Sequence, residues 1–365
     1  MIQEERREAL NIKKSITTAV VVIAGFYAAT SIGANPQMRE FVNELADDGK
    51  LMIARINLEF GNDKSENIEN SEIQNDQKSG QPEVFSPEVT LPPFPTDIEV
   101  SKTDTTESKD IDNLPVILPT TIEGGMVISN NTSYELDLAT LVSKGTSVTL
   151  SSDKPQILII HTHGSEAYTP DAENDYTPSD NFRTDDIRYS VIRVGDELTA
   201  CLESYGLNVI HDRNIYDSPS YTGSYARSGD SIEKYLKEYP SISVVLDVHR
   251  DAIGDGDVVY KTVAEGDGKP CSQVMLLVGT GENGLEHPNW QENLKFALYL
   301  QAAAVKKYQS LPRPIALKKE RYNQQLTTGS LILEVGSSGN TLNEALNAVR
   351  LFADAIAPAL KDLKN

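Results

Sequence analysis

The residues best suited to chemistry fall in three short segments. His161-Thr162-His163-Gly164-Ser165-Glu166 follows one apolar run, Asp247-Val248-His249-Arg250-Asp251 closes a second, and Glu334-Val335-Gly336 closes a third. The chain has only five histidines, and three of them lie in the first two segments. A catalytic zinc takes about three His or carboxylate ligands, at roughly 2.0–2.2 Å, and keeps a position for water. Zinc lowers the pKa of that water to about 7. A nearby carboxylate can take its proton and pass it to a leaving amine.

An His-x-His pair on a strand projects both rings to one face. His161 and His163 then either share one site, or one binds metal while the other hydrogen-bonds behind it. Glu166 supplies the carboxylate ligand and His249 the ligand from a neighbouring strand. Glu334 is left as the base. Arg250 either binds a peptide carboxylate or oxyanion, or pairs with Asp247 or Asp251. His211 ends another strand, and His287, before Pro288, reads as a loop residue. Ser165 lacks the Gly-x-Ser-x-Gly frame of a nucleophile elbow.

The elements that must position these residues can be read from periodicity. Gln156 to Ile160, Ile242 to Val248, Gln273 to Gly279 and Leu331 to Val335 are short apolar runs and predict buried strands; Asn208 to His211 predicts another. Ser190–Tyr205, Ser228–Tyr239, Asn289–Tyr308 and Thr341–Leu360 carry apolar residues at helical spacing. Strands alternating with helices predict an α/β fold, a mostly parallel twisted sheet with helices on both faces. Right-handed crossovers would put every strand's C-terminal end on one edge, where open α/β sheets bind ligands.

The N-terminal part reads differently. Ser15 to Met38 carries no charge, and Arg6, Arg7, Lys13 and Lys14 precede it. About 20 apolar residues span a bilayer, so residues 15–35 predict a membrane anchor, with a cleaved signal peptide as the rival. The basic flank keeps residues 1–14 in the cytoplasm and the rest outside. Residues 36–60 read as a short amphipathic juxtamembrane helix. Residues 61–125 read as a disordered linker. Gly61 to Asp112 holds 13 Asp or Glu against 4 Lys, too few apolar groups to offset ordering entropy. This linker is expected to act as an extended tether to a catalytic domain at 126–365.

A net charge of -21 argues against nucleic acid, since phosphate binding needs a cationic face. Cys201 and Cys271 are too few for a disulfide framework and lack metal spacing; they read as small buried hydrophobes.

From about Val127 onward the chain resembles the stage II sporulation protein P family. The motifs are Ile159 to Tyr168, Val194 to Leu198, Ser220 to Tyr225, Leu246 to Ile253, and Tyr322 to Thr341. The resemblance implies a wall hydrolase of endospore formers, similar to zinc N-acetylmuramoyl-L-alanine amidases with His, Glu, His ligands and a catalytic Glu near the C-terminus. Carried over by motif, His163 and His249 are the histidine ligands and Glu334 the base. In related amidases the carboxylate ligand lies nearer the first helix, where this chain offers Asp185 and Asp186; Glu166 is the choice within the HisThrHis motif. The resemblance also implies cleavage of peptide cross-links and stage II sporulation proteins D and M as partners. It places the domain on the mother-cell side of the forespore septum during engulfment. Two other readings stay open: a zinc peptidase acting only on stem peptides, and a non-catalytic wall-binding scaffold.

Overall fold

The computed structural model describes residues 51–54, 116–117, 125–254 and 258–365. All of them belong to one unit. The strands are β1 (Leu51–Ala54), β2 (Val116–Ile117), β3 (Met126–Asn130), β4 (Ile157–Ile160), β5 (Val209–His211), β6 (Val244–Asp251), β7 (Tyr260–Lys261), β8 (Ala264–Glu265), β9 (Pro270–Cys271), β10 (Val274–Gly279), β11 (Ile315–Lys318) and β12 (Gly329–Ser337). The helices are α1 (Leu138–Lys144), α2 (Val191–Ser204), α3 (Ser224–Glu238), α4 (Trp290–Lys307) and α5 (Leu342–Lys361).

Eight strands form the main sheet, in the order β1-β3-β11-β10-β12-β6-β4-β5. Every pairing is parallel except β10 with β12. The α/β fold with a mostly parallel sheet is therefore present. One expectation needs correcting. The antiparallel join reverses half the sheet, so β10, β11 and β3 end on the edge opposite the ends of β4, β6 and β12. The three strands that carry the candidate site lie together in one half and share an edge.

The apolar runs are explained by burial on both faces. Ile157 and Ile159 enter the large core, while Leu158 and Ile160 enter a second cluster on the other face. This is the period-two alternation of a strand covered on both sides. Helices α1, α2, α4 and α5 pack on the first face. Helix α3 covers the second through Ile232, with Tyr235 and Leu236 beside it. Thr341 opens α5 with a capping box that Glu344 completes. Ser190 caps α2, accepting from the Ile192 N–H.

Within the helix expected over 36–60, residues 51–54 form a strand instead, and the others lie outside the described residues. This strand is β1, in parallel register with β3 from Leu51↔Met126 to Ala54↔Ser129. The β-branched and apolar run LMIA completes an open sheet edge. Strand β1 precedes the acidic segment, yet it pairs with a strand that follows it. Strand β2 likewise pairs with β7.

The anchor expected at 15–35 and most of the linker lie outside the described residues. Among the described residues no helix is long and apolar enough to cross a membrane. Cys201 and Cys271 are free, and Cys271 is buried. Burial pushes the two thiols up, to about 11 and about 12, which leaves neither as a reactive thiolate.

Candidate metal centre

Strand β4 stops at Ile160, and the chain turns through Thr162 to Ser165. This turn separates the two histidines of the HisThrHis motif. His161 keeps the pleat of Ile157 and Ile159 and faces α2. His163, carried round by the turn, meets His249 from β6, their ring centroids 5.1 Å apart.

His163, Glu166 and His249 form one buried cluster, with a ligand atom from each within 4.8 Å of the others. Nδ1 of His163 stands 3.7 Å from Glu166 Oε1, and Nδ1 of His249 stands 3.4 Å from Glu166 Oε2. The outer ring nitrogens face other partners. Nε2 of His163 is 3.1 Å from Ser224 Oγ, at the start of α3. Nε2 of His249 lies 2.9 Å from Asp247 Oδ1, as an ion contact off the line of a hydrogen bond. Asp247 is held in turn by Thr162, whose N–H and hydroxyl donate to it at 2.8 and 2.6 Å. Two imidazoles and a carboxylate facing inward, each ring backed by an oxygen, is the donor set that zinc uses. The chain thus fits the ion.

The electrostatics agree. Burial lowers the His163 imidazole to about 4, against the opposing pull of Glu166. Burial would also lower His249, but Asp247 and Glu166 outweigh it and raise that ring well above its ordinary value. Burial would raise Glu166; the Arg250 charge and His249 overcome this and hold the carboxyl below the usual range.

Glu334 lies beside this cluster. It is the register partner of His249. Its Oε2 is buried and has no hydrogen-bond partner. Burial pushes the carboxyl up to about 8, against His249, with Asp251 and Glu166 adding to the rise. A carboxyl perturbed toward neutrality beside a metal-type donor set is suited to proton transfer. The GluValGlySer sequence explains its position. The pairing of β12 with β6 shifts register between Glu334 and Ser337, and Gly336 sits there at φ 67. A Cβ on Gly336 would come 2.9 Å from Ser272 Oγ. Bulges of this kind re-aim side chains next to active sites.

Two site residues from the sequence reading land elsewhere. His161 is not in the cluster. Its Nδ1 faces the Val248 carbonyl at 2.9 Å, and its Nε2 faces His211 Nε2 at 2.8 Å. A carbonyl only accepts, so His161 carries its proton on Nδ1 and accepts from His211. Burial, with His211 adding, lowers His161 to about 3 and keeps it neutral. His211 Nδ1 then faces Asp196 at 3.1 Å. A Cβ at position 195 would come within 2.5 Å of His161 and 2.6 Å of His211. This accounts for Gly195 in the ValGlyAspGluLeu motif.

Arg250 is buried, and its guanidinium donates to the carbonyls of Ala167 and Phe182 at 3.0 and 3.2 Å. Its backbone N–H donates to Glu166 Oε2 at 3.2 Å. The Arg250 guanidinium thus faces two carbonyls, and its backbone N–H holds Glu166. Asp251 pairs with Arg313 at 2.7 Å. Asp186 binds Arg188, and neither it nor Asp185 joins the cluster. His287 is buried in its loop, away from the three segments, and burial lowers it to about 4.

Sequence reasoning missed Asp247 as the partner of His249, and it missed Ser224, Tyr221, Tyr225 and Arg183. Tyr221 stacks on His163 at 4.5 Å, and Tyr225 meets the same ring edge-on at 5.4 Å. Three of these residues lie in the SerTyrThrGlySerTyr motif, whose role no spacing rule reveals.

The model of the family described as stage II sporulation protein P matches residues 39–357. The chain belongs to this family. Stage II sporulation protein P of Bacillus subtilis (strain 168) is 29% identical over 221 residues, a match covering 57% of this chain and 51% of that protein. The match thus spans about half the length of this curated relative. Among solved structures, the CwlD amidase from Clostridioides difficile in complex with the GerS lipoprotein is 12% identical, covers 57% of this chain and 98% of its own, and has a TM-score of 0.35. The N-acetylmuramoyl-L-alanine amidase AmiC2 of Nostoc punctiforme is 12% identical, with coverages of 56% and 95% and a TM-score of 0.32. At such identities and scores neither structure bears on what this site does.

Proposed function

We propose that this member of the stage II sporulation protein P family is a zinc-dependent peptidoglycan hydrolase that cleaves the amide between N-acetylmuramic acid and L-alanine. The observation that carries this reading is the buried His163–Glu166–His249 cluster with Glu334 beside it, one carboxyl oxygen buried without a hydrogen-bond partner. His163, Glu166 and His249 would hold the ion. When bound, zinc supplies a water that ionises near neutral pH and a positive charge for the carbonyl oxygen. Glu334 accepts the proton from the attacking water and returns it to the departing amine of L-alanine. Asp247 and Ser224 hold the two imidazoles in register, and Arg250 anchors Glu166. His163, Glu166 and His249 are buried, so little water screens these contacts and each is strengthened.

The proposed setting follows from family membership and from the apolar N-terminal run. An anchor at 15–35 would hold the enzyme in the membrane with its catalytic unit outside the cytoplasm, at the forespore septum. Stage II sporulation proteins D and M are the partners the family suggests.

The test is mass spectrometry of peptidoglycan digested by the full-length chain, with chelator and with zinc restored. Whole stem peptides freed from glycan, lost with chelator and regained with zinc, are the expected result. Shortened stems still attached to glycan would replace the amidase with a peptidase. Intact wall, together with no bound zinc on metal analysis, would leave a wall-binding scaffold.

A further inference from the structure

The buried cluster has one partly open side. His163, Glu166 and His249 are buried, but the Arg183 side chain is 20% exposed and Tyr221 is 49% exposed. The Arg183 guanidinium carbon lies 5.1 Å from the centre of the Tyr221 ring, and that ring stacks on His163. Arg183 is braced from beneath. Its Nη1 donates to Asp217 Oδ2 and, at 3.0 Å, to Ser165 Oγ. Asp217 is itself buried and also accepts from the Ser165 N–H and hydroxyl. Nη2 points toward Glu166 Oε1 but stays 3.7 Å away, outside hydrogen-bond range. The neighbouring cation, Arg250, is buried against two carbonyls. Arg183 therefore brings a fixed guanidinium with remaining donors to the mouth of the site. It approaches from the His163 side, whereas Glu334 borders His249.

We propose that Arg183 and Tyr221 form the subsite for the second residue of the stem peptide, with the guanidinium binding that residue's free carboxylate. The proposal rests on the amidase reading, which places the lactyl–L-alanine amide at the cluster. The next residue, D-glutamate, continues the stem through its side-chain carboxyl and so leaves its α-carboxylate free. Two extended residues span about 7 Å, which carries this anion from the scissile amide to the rim. A guanidinium fork matches a carboxylate in two parallel hydrogen bonds. The Tyr221 ring keeps Arg183 in place through its π face and presents an apolar wall to the L-alanine methyl. Converting the carboxylate to a primary amide keeps the shape and removes the charge, so the subsite should discriminate between the two.

Equilibrium titration of the full-length, zinc-loaded chain with L-alanyl-D-glutamate whose γ-carboxyl is blocked as an amide, and with the corresponding α,γ-diamide, tests this. The acid should bind about tenfold tighter than the amide, the usual worth of a charge-assisted pair. Arg183→Gln should shrink that ratio to near one, and Arg183→Lys should keep an intermediate ratio. Tyr221→Leu should weaken both ligands alike. Equal binding of acid and amide by the unaltered chain would overturn the subsite without need of any variant, and so would an undiminished ratio in Arg183→Gln. Acid preference without hydrolysis of muropeptides would sink the amidase reading alone. Hydrolysis without acid preference would sink the subsite alone.

Discussion

Glu334 and His249 are register partners on adjacent parallel strands, and both side chains leave the face opposite the large core. The pairing sets a carboxyl beside a metal-type ligand. Glu334→Gln keeps the size of the side chain but cannot take a proton. Zinc content should stay at the wild-type level while turnover falls by about 10²–10⁴-fold, the range of general acid–base effects. Metal analysis alongside muropeptide release checks this, and normal turnover in that variant would remove Glu334 from the mechanism.

Asp247 faces His249 Nε2 and would act on a bound metal through that ring. Asp247→Asn removes the charge facing Nε2, and zinc affinity should drop about 10–100-fold, as for other partners of ligating imidazoles. His163→Ala should abolish stoichiometric zinc. The metal-free His249 ring is raised above its ordinary 6.5, so a proton competes with zinc below and through neutrality. Zinc affinity should therefore rise with pH across that range. A competition titration at several pH values reads all three effects; affinity that is flat with pH would remove His249 from the ligand set.

Strand β1 makes its own prediction. A protease site placed in the acidic segment, between Phe85 and Ser86, would cut the chain in two. If β1 holds to β3 as the register shows, the N-terminal fragment should co-elute with the rest under native conditions. A Met52→Pro, Ile53→Pro double variant, which removes ladder N–H groups, should release it. Immediate separation of the unaltered fragments would show that β1 does not hold.

Acid stability should report the α2–α5 contact. Burial would raise Glu197, but Arg350 and Arg193, which donate to it at 2.7 and 2.9 Å, outweigh burial and lower it below 4.5. The folded state thus binds this proton less readily than the unfolded chain. The contribution is complete above the unfolded value and is lost as pH falls below it. Glu197→Gln should cost about 1–3 kcal/mol at pH 7, and the gap to wild type should narrow below about pH 4. Melting curves over pH 3–7 decide it; a gap that does not change with pH would assign the cost to packing.

Much of this protein was legible in its sequence. The unbroken apolar run over Ile157 to Ile160 points to a strand buried on both faces, because successive side chains along a strand leave opposite faces by local backbone geometry. The placing of His163, His249 and Glu334 near the ends of β4, β6 and β12 followed for the same reason, and Glu166 comes just after the turn that carries His163. Tertiary structure decided the rest. His161 and His163 stand two residues apart, and only the point where β4 stops sends one to His211 and the other to His249. Strand β1 lies 75 residues before β3 in register (126 less 51), and no local pattern records a pairing across so long a gap. The reversal at β10 and the meeting of Arg183, Tyr221 and Glu166 have the same origin. They depend on how distant segments pack, and packing free energy belongs to the assembled chain rather than to any stretch of it.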